Sequence, residues 1–348
     1  MKRYLFFAQL TYAYSILRPL EKEIWRRGDE VAWFLEPSCP DMLLPTEKRL
    51  STIDEVMQWN PVAVFAPGNY VYDFFPGVKV AVFHGYPMRK RIEKIDDHFT
   101  IRGWFDMYCT QGPSSTPYFS ELADKHGYFK IYETGWCKVD SFFDKDLGEE
   151  EKRQQPTILY SPTFTRSITS AYILLPVIDR IAGSRPWRWI ITFHPKLDDP
   201  QLIADYQAMA DRHENVNFAK VNKGLETFRQ SDIMLCDSSS ITVEYMMLDK
   251  PVVTFRNTHP GPHLLDVLKE EDVEPALEKA LQHPADLMQH IHEYTSFHEA
   301  HRDGHNSARV LDAVDDFIAN SQGKIKQKPL NLFRKLKLRK RLKRWFPL

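Results

Sequence analysis

Two histidines in this chain each follow directly on a short apolar run, a position that suits proton or hydrogen-bond chemistry. Val78–Phe83 leads into His84-Gly85-Tyr86-Pro87-Met88-Arg89-Lys90, and Trp189–Phe193 leads into His194-Pro195-Lys196. Histidine titrates near neutrality, so it can serve as a general base or as a hydrogen-bond donor to developing charge. Gly85 would let a ligand approach the backbone, and Arg89 and Lys90 would add cations for a phosphate. A structural histidine at a strand end is the plain alternative for either residue taken alone. The same design in both halves of the chain favours the functional reading.

Two further segments carry small hydroxyl residues where a strand gives way to a helix. In residues 231–255, SDIMLCDSSSITVEYMMLDKPVVTF, strand Ile233–Cys236 runs into Asp237-Ser238-Ser239-Ser240, and a helix begins near Ile241. Serine hydroxyls and unpaired backbone N–H groups at a helix start suit an anion such as a pyrophosphate. Glu244, one turn later, could reach a nucleotide ribose. Serine is also a common helix cap, and on this segment alone capping and binding stand level. In the other segment, Tyr160-Ser161-Pro162-Thr163-Phe164-Thr165-Arg166, Thr163 and Arg166 could contact phosphate, although an ordinary capped loop has the same composition.

The elements that must position these residues form an alternation of short strands and helices. Strands are expected at Tyr4–Ala8, Val31–Leu35, Val62–Ala66, Val78–Phe83, Tyr108–Thr110 and Ile131–Glu133, with a helix over Tyr14–Arg27 ended by Gly28. Residues 141–156, SFFDKDLGEEEKRQQP, are polar, charge-dense and end in proline, so they read as a linker. Alternation then restarts. Strands are expected at Thr157–Tyr160, Trp189–Phe193, Val216–Ala219, Ile233–Cys236 and Val252–Phe255, and helices over Ala171–Ala182, Pro200–His213 and Ile241–Leu248. Two parallel-sheet, Rossmann-like halves in series is the GT-B plan, an α/β fold whose ligands bind at the carboxyl ends of the strands, here expected in a cleft between the halves. The expected domains are 1–145 for the acceptor and 155–320 for the nucleotide donor.

Composition narrows the class. A chain of 348 residues suits two domains, and 43% hydrophobic residues describe a globular protein. The four cysteines lie far apart with no C-x-x-C pair, which argues against zinc or a disulfide framework. The start, MKRYLFFAQL, has too short an apolar run for a signal peptide, and no stretch is long enough to span a bilayer. Residues 324–348 hold eleven Lys and Arg and no Asp or Glu, against a net charge of −1 for the whole chain, which leaves the body at −12. An acidic body is a poor partner for nucleic acid, whereas a basic tail suits an anionic membrane surface. Leu338, Leu342, Trp345 and Phe346 fall on one face of a helix, so residues 324–348 are expected to form an amphipathic membrane-binding helix. No D-x-D metal site is recognisable, and neither a metal nor a cofactor is expected.

Taken together, these segments resemble the CDP-glycerol glycerophosphotransferase family, the teichoic-acid primases and polymerases. Its H-G-T-P-L-K pattern is met by HGYPMR at His84–Arg89, and its Y-x-P-T-[FW]-R by YSPTFTR, with one residue inserted before Arg166. Its H-P is His194-Pro195, and its S-D-x-x-x-[TS]-D-Y-S-S-x-x-x-[DE] runs from Ser231 to Glu244 with Ser238 in place of tyrosine. Lys250-Pro251-Val252 and Asp303-Gly304 with Arg309 complete the series. There are two departures. The family's G-x-P-R-x-D appears as Gly135-Trp136-Cys137-Lys138-Val139-Asp140, without the proline. The loop after Phe255, RNTHPGPHLLDV, is more similar to that of UDP-N-acetylglucosamine 2-epimerases and some Kdo or sialic acid transferases.

The resemblance implies transfer of glycerol phosphate from CDP-glycerol to a hydroxyl of a cell-surface glycan or lipid-linked acceptor, with release of CMP. It implies His84 as base and His194, Ser239 and Ser240 as donors to the phosphoryl oxygens. Ser238, Glu244, Thr163 and Arg166 would complete the donor site, and Gly85, Arg89, Lys90 and Arg309 the phosphate or acceptor side. The expected location is peripheral, on the cytoplasmic face of the membrane. Rival readings are a glycosyltransferase using a CMP- or UDP-sugar, a 2-epimerase-like enzyme acting on a soluble substrate, and a non-enzymatic scaffold in which both histidines are expendable.

Overall fold

The computed structural model describes residues 1–87, 98–144, 154–194, 196–219 and 224–343. The chain divides into two compact units. The first comprises Met1–Pro87, the segment ending at Asp144, and the chain from Ser296 onward; the second closes at Thr295.

The first unit carries strands β1 (Arg3–Ala8), β2 (Glu30–Leu35), β3 (Ala63–Ala66), β4 (Val78–Ala81), β5 (Met107–Thr110) and β6 (Lys130–Glu133), with helices α1 (Tyr12–Arg26), α2 (Ile53–Trp59), α3 (Thr116–His126) and α4 (Cys137–Asp140). All pairings are parallel, in the order β2-β1-β3-β4-β5-β6. β3, β4 and β5 are buried along their whole length and show no polar alternation apart from Lys79 in β4, whose Nζ donates to the Gly77 carbonyl at 2.6 Å. α2 was not expected from the apolar pattern, yet its start was legible. Thr52 Oγ1 accepts from the Glu55 amide at 3.2 Å, and Glu55 reaches back to the Ser51 amide at 2.7 Å, a T-x-x-E capping arrangement.

The second unit repeats the plan with β7 (Thr157–Tyr160), β8 (Arg188–Thr192), β9 (Val216–Ala219), β10 (Ile233–Cys236), β11 (Val252–Phe255) and β12 (Leu265–Val267). Its helices are α5 (Ala171–Ser184), α6 (Pro200–Arg212), α7 (Leu225–Arg229), α8 (Ile241–Met246) and α9 (Val273–Leu281). The sheet is again parallel, in the order β12-β11-β10-β7-β8-β9. Its core gathers Ile158, Tyr160, Leu174, Ile178, Trp189, Tyr206 and Leu235. Two motif residues prove architectural here. Lys250 Nζ donates to the carbonyls of Phe228 at 3.0 Å and Ser231 at 2.8 Å, covering the end of α7, and Asp232 holds the Thr157 amide at 2.7 Å.

The chain then runs through α10 (Ala285–His298), α11 (Asn306–Asn320) and α12 (Leu332–Leu342). The expected second domain of 155–320 is therefore too long at its end, because α11 belongs to the first unit. Its Val310, Leu311, Val314 and Phe317 are buried, and Asp140 takes the amides of Asn306 at 2.7 Å and Ser307 at 2.6 Å, capping the helix.

Residues 324–343 also differ from expectation. The link from β3 to β4, residues 67–77, carries no helix but presents Tyr70, Tyr72, Phe74 and Phe75. α12 packs over these rings: Leu338 is part of the same core, with Leu342 against it. Arg339, at 0% exposure, meets both oxygens of Asp73 at 2.8 and 2.9 Å, Lys335 approaches Asp73 at 3.6 Å, and Lys328 pairs with Asp106 at 2.7 Å. At the far end Arg341 bonds Glu36 at 3.0 Å and the Tyr70 hydroxyl at 3.2 Å. Two of the four residues expected to face lipid are thus packed on the body; Trp345 and Phe346 lie outside the described residues. Pairing of Lys335, Arg339 and Arg341 with body carboxylates offsets part of the like-charge repulsion along this helix.

Candidate active site

His84 and Gly85 follow the carboxyl end of β4, and Thr163, His194 and the serine turn follow those of β7, β8 and β10, where ligands bind in open parallel sheets, whereas Glu244 lies in α8 and Arg309 in α11. Gly85, His84 and Arg309 belong to the first unit; Thr163, Arg166, His194, Ser238, Ser239, Ser240 and Glu244 belong to the second. Arg89 and Lys90 lie outside the described residues.

His84 follows β4 by way of a sharp turn. The strand ends at Ala81, not at Phe83, because Phe83 adopts a left-handed backbone with φ of 54° and swings the imidazole out. The ring is exposed, stacks on Tyr12 at 5.1 Å, and places Nδ1 3.1 Å from the Pro67 carbonyl oxygen. A carbonyl can only accept, so Nδ1 carries the proton and Nε2 of the neutral ring holds the lone pair. A Cβ on Gly85 would meet nothing within 4 Å, so none of the described residues occupies that approach to the backbone.

His194 is set the other way. Its Nδ1 accepts from the Lys196 amide at 3.0 Å, which leaves Nε2 of the neutral ring as the protonated, donating nitrogen. Phe164 lies against the imidazole at 4.5 Å, so the Tyr160–Arg166 segment and the His194 turn meet. Arg166 is exposed over the Tyr172 ring, whose hydroxyl is held by Asp199 at 2.9 Å.

The hydroxyl-rich turns of the second unit are organised by a residue that the motif reading passed over. Asp237, at 0% exposure, accepts from the amides of Thr163 at 2.8 Å and Ser170 at 2.9 Å and from Ser170 Oγ at 2.9 Å. Burial pushes its carboxyl above the usual range, while these three donors pull the other way. It thereby fixes the 163–170 loop beside Ser238-Ser239-Ser240. The Asn257 amide donates to the Asp237 carbonyl at 3.0 Å, and Ser238 Oγ accepts from the Thr258 amide at 2.8 Å. The loop that departs from the family pattern is therefore fastened to the serine turn. Ser240 makes no side-chain cap on α8, which leaves the capping reading of this serine unsupported; Glu244 lies half-buried in the first turn of this six-residue helix.

Arg309 is committed elsewhere. Its guanidinium takes both oxygens of Asp303, at 2.8 and 2.6 Å, and Asn306 Oδ1 at 3.2 Å, and this pairing holds the Asp303 carboxyl well below its usual range. The D-G-x-x-x-x-R segment closes on itself, and this arginine is not presented as an open phosphate ligand. A cavity of about 600 Å3 beside α5 and α9, lined by Arg180, Arg185, Glu271 and Glu274, contains none of the candidate residues. Among the described residues no group of three or more His, Cys, Asp or Glu side chains is arranged to hold a metal.

Two Rossmann-like units, each with a parallel six-stranded sheet and polar turns at the strand ends, give the GT-B fold. Residues 113–260 match the family described as CDP-Glycerol:Poly(glycerophosphate) glycerophosphotransferase. The match covers less than half of the chain; Thr163, Arg166, His194 and the serine turn fall inside the matched residues, and His84 and Arg309 fall outside. No curated protein matches the chain. Among solved structures it is similar to the wall teichoic acid polymerase TagF, with 14% identity and a TM-score of 0.63 over 90% of this chain and 89% of that one. It is also similar to MnaA of S. aureus in its UDP co-structure, with 13% identity and a TM-score of 0.60 over 94% and 99%. The UDP-GlcNAc 2-epimerase of Neisseria meningitidis, bound to UDP-GlcNAc, gives 12% identity and a TM-score of 0.59 over 90% and 100%. At these identities the likeness is one of fold.

Proposed function

We propose that the enzyme transfers glycerol phosphate from CDP-glycerol to a hydroxyl of a cell-surface glycan or lipid-linked acceptor, releasing CMP. The acceptor oxygen bonds to the glycerol-bearing phosphorus while the bond from that phosphorus to the CMP oxygen breaks. The hydroxyl proton passes to Nε2 of His84, and the electron pair of the broken bond leaves with CMP. Charge that grows on the phosphoryl oxygens is met by donors: Nε2–H of His194 and the hydroxyls and amides of Ser239 and Ser240. Glu244 accepts from the ribose.

The observation that carries this reading is the opposite setting of the two histidines. The Pro67 carbonyl makes His84 a base at Nε2, and the Lys196 amide makes His194 a donor at Nε2. One base and one electrophilic donor is what a phosphoryl transfer without covalent intermediate requires. The family match over 113–260 supports the choice of donor. The test is to offer radiolabelled CDP-glycerol, CMP-sugars and UDP-sugars in turn with a polyol-phosphate acceptor and to follow the nucleotide released. CMP from CDP-glycerol alone is the expected result. Release from a nucleotide sugar instead would replace this donor by a glycosyl donor.

For the location we propose the cytoplasmic face of a membrane, with the outer side of α12 as the contact. Arg334, Lys337 and Lys340 are exposed there, beside Phe333 at 88% exposure and Leu330 at 58%. Each cation near an anionic surface contributes about 1 kcal/mol, an attraction that salt screens. The full-length protein is expected to pellet with phosphatidylglycerol vesicles at low salt and to release as salt rises; indifference to these vesicles would remove the proposal.

A further inference from the structure

The turn that aims His84 is held from behind by a buried carboxylate, outside the matched family segment and unused by the chemistry above. Glu299, at 1% exposure, accepts from the Tyr86 hydroxyl at 2.7 Å, from the Trp136 amide at 3.1 Å and from Asn306 Nδ2 at 3.1 Å. Trp136 Nε1 in turn donates to the Phe83 carbonyl at 3.3 Å, and the Trp136 and Tyr86 rings meet edge to face at 5.2 Å. The Phe83–Tyr86 turn is thus gripped at both ends, with His84 between the two grips.

The turn needs that grip. A phenylalanine at φ of 54° sits in a backbone region that costs an L-residue about 1–2 kcal/mol, and such a conformation persists only where its surroundings over-determine it. The supporting side is itself closely built. Gly135 has φ of +75°, and a Cβ there would come within 2.4 Å of both Glu299 Oε1 and Asn306 Oδ1. Asn306 is anchored by Asp140, and its Nδ2 also reaches the Trp136 carbonyl at 3.1 Å. The segment carrying Glu299 is pinned beside β5, where the Ser114 amide donates to the Phe297 carbonyl at 2.8 Å and the Ala300 amide to the Gln111 carbonyl at 2.9 Å. Glu299 also lies four residues beyond the point at which the chain re-enters the first unit, so the His84 turn is fastened to the returning segment.

We propose that Glu299 is a positioning residue for His84: by clasping Tyr86 and Trp136 it fixes the left-handed turn at Phe83 and so the direction in which Nε2 of the imidazole points. This rests on the reading of His84 as the base. It makes the base part of a unit of three elements, β4, the segment before α4 and the segment before α11, and not of its own loop alone.

The test uses the full-length enzyme with Glu299→Gln and Tyr86→Phe, singly and together. Glu299→Gln turns one acceptor face of the carboxylate into a donor, and Tyr86→Phe removes one hydroxyl from an otherwise intact ring. Each single change is expected to lower kcat about 10- to 100-fold, the order of loss that follows displacement of a reacting group by roughly an ångström. The KM for CDP-glycerol should stay within about twofold, since the donor contacts lie in the second unit. The double variant should lose little more than either single one, because both cut the same link. The independent readout is the His84 Cε1–H resonance in ring-labelled protein, which should move in both variants and keep its wild-type position in a distant control such as Arg180→Gln. An unmoved His84 resonance in folded Glu299→Gln and Tyr86→Phe proteins overturns the proposal whatever the activity. A thermal shift with unchanged kcat would make the clasp merely structural and overturn it too. If His84→Ala protein proves active, the base assignment falls, while the resonance alone still decides whether Glu299 sets the turn. Should Glu299→Gln fail to fold, Tyr86→Phe carries the same readouts.

Discussion

His84→Ala is expected to reduce turnover about 10²- to 10⁴-fold, the usual worth of a positioned general base, while leaving the protein folded. The imidazole is exposed, and its anchors are one hydrogen bond to the Pro67 carbonyl and a stack on Tyr12. Loss of an exposed bond of this kind costs about 0.5–1.5 kcal/mol, which shifts a melting transition by only a few degrees. His84→Asn gives the sharper comparison, because its amide nitrogen falls where Nδ1 does and can still donate to the Pro67 carbonyl, but the side chain has no basic nitrogen. Single-turnover rates with CDP-glycerol, beside melting curves for both variants, check this. A folded His84→Ala enzyme of full activity would end the assignment.

Truncation after Gly323 is expected to strip the first unit of a structural helix and yield an insoluble or molten product. Leu338 is buried in the same core as Tyr72 and Phe75, and the loss of a buried leucine alone costs about 2–5 kcal/mol. Asp73 would also lose Arg339 and Lys335, and breaking a buried pair on one side costs about 3–5 kcal/mol. These losses need not add, but together they approach the total stability of an ordinary domain, about 5–15 kcal/mol. The checks are the soluble yield and the urea midpoint of residues 1–323 against the full chain. A truncated protein with an unchanged midpoint would show that α12 is detachable after all.

The strands, their parallel pairing and the order of the site-bearing turns were legible in the amino-acid sequence, for a physical reason. A strand covered on both faces is mostly apolar, with buried Lys79 in β4 as an exception, and the polar residues that follow it mark its carboxyl end, so His84, His194 and the serine turn announced themselves locally. Most expected elements lie within two residues of those observed. β4 and α8 are shorter than their apolar runs suggested. In β4 a left-handed residue, which no local pattern betrays, ends the strand.

Sequence pattern could not supply what depends on contact between distant residues. Asp237 stands in the motif, but its grip on Thr163 and Ser170 appears only when β7 and β10 pair. Glu299 carries no local signal at all: its partners are Tyr86, Trp136 and Asn306, and only folding brings the first two to it. Arg309 looked like a phosphate ligand and turned out to be held by Asp303. The tail shows the limit most clearly. Its spacing of leucines and cations determined a helix with one apolar face, and both a membrane and a protein core satisfy that pattern equally well. Tertiary structure decided between them, because the helix-free link between β3 and β4 leaves an aromatic surface to be covered and Asp73 lies beside it to receive Arg339.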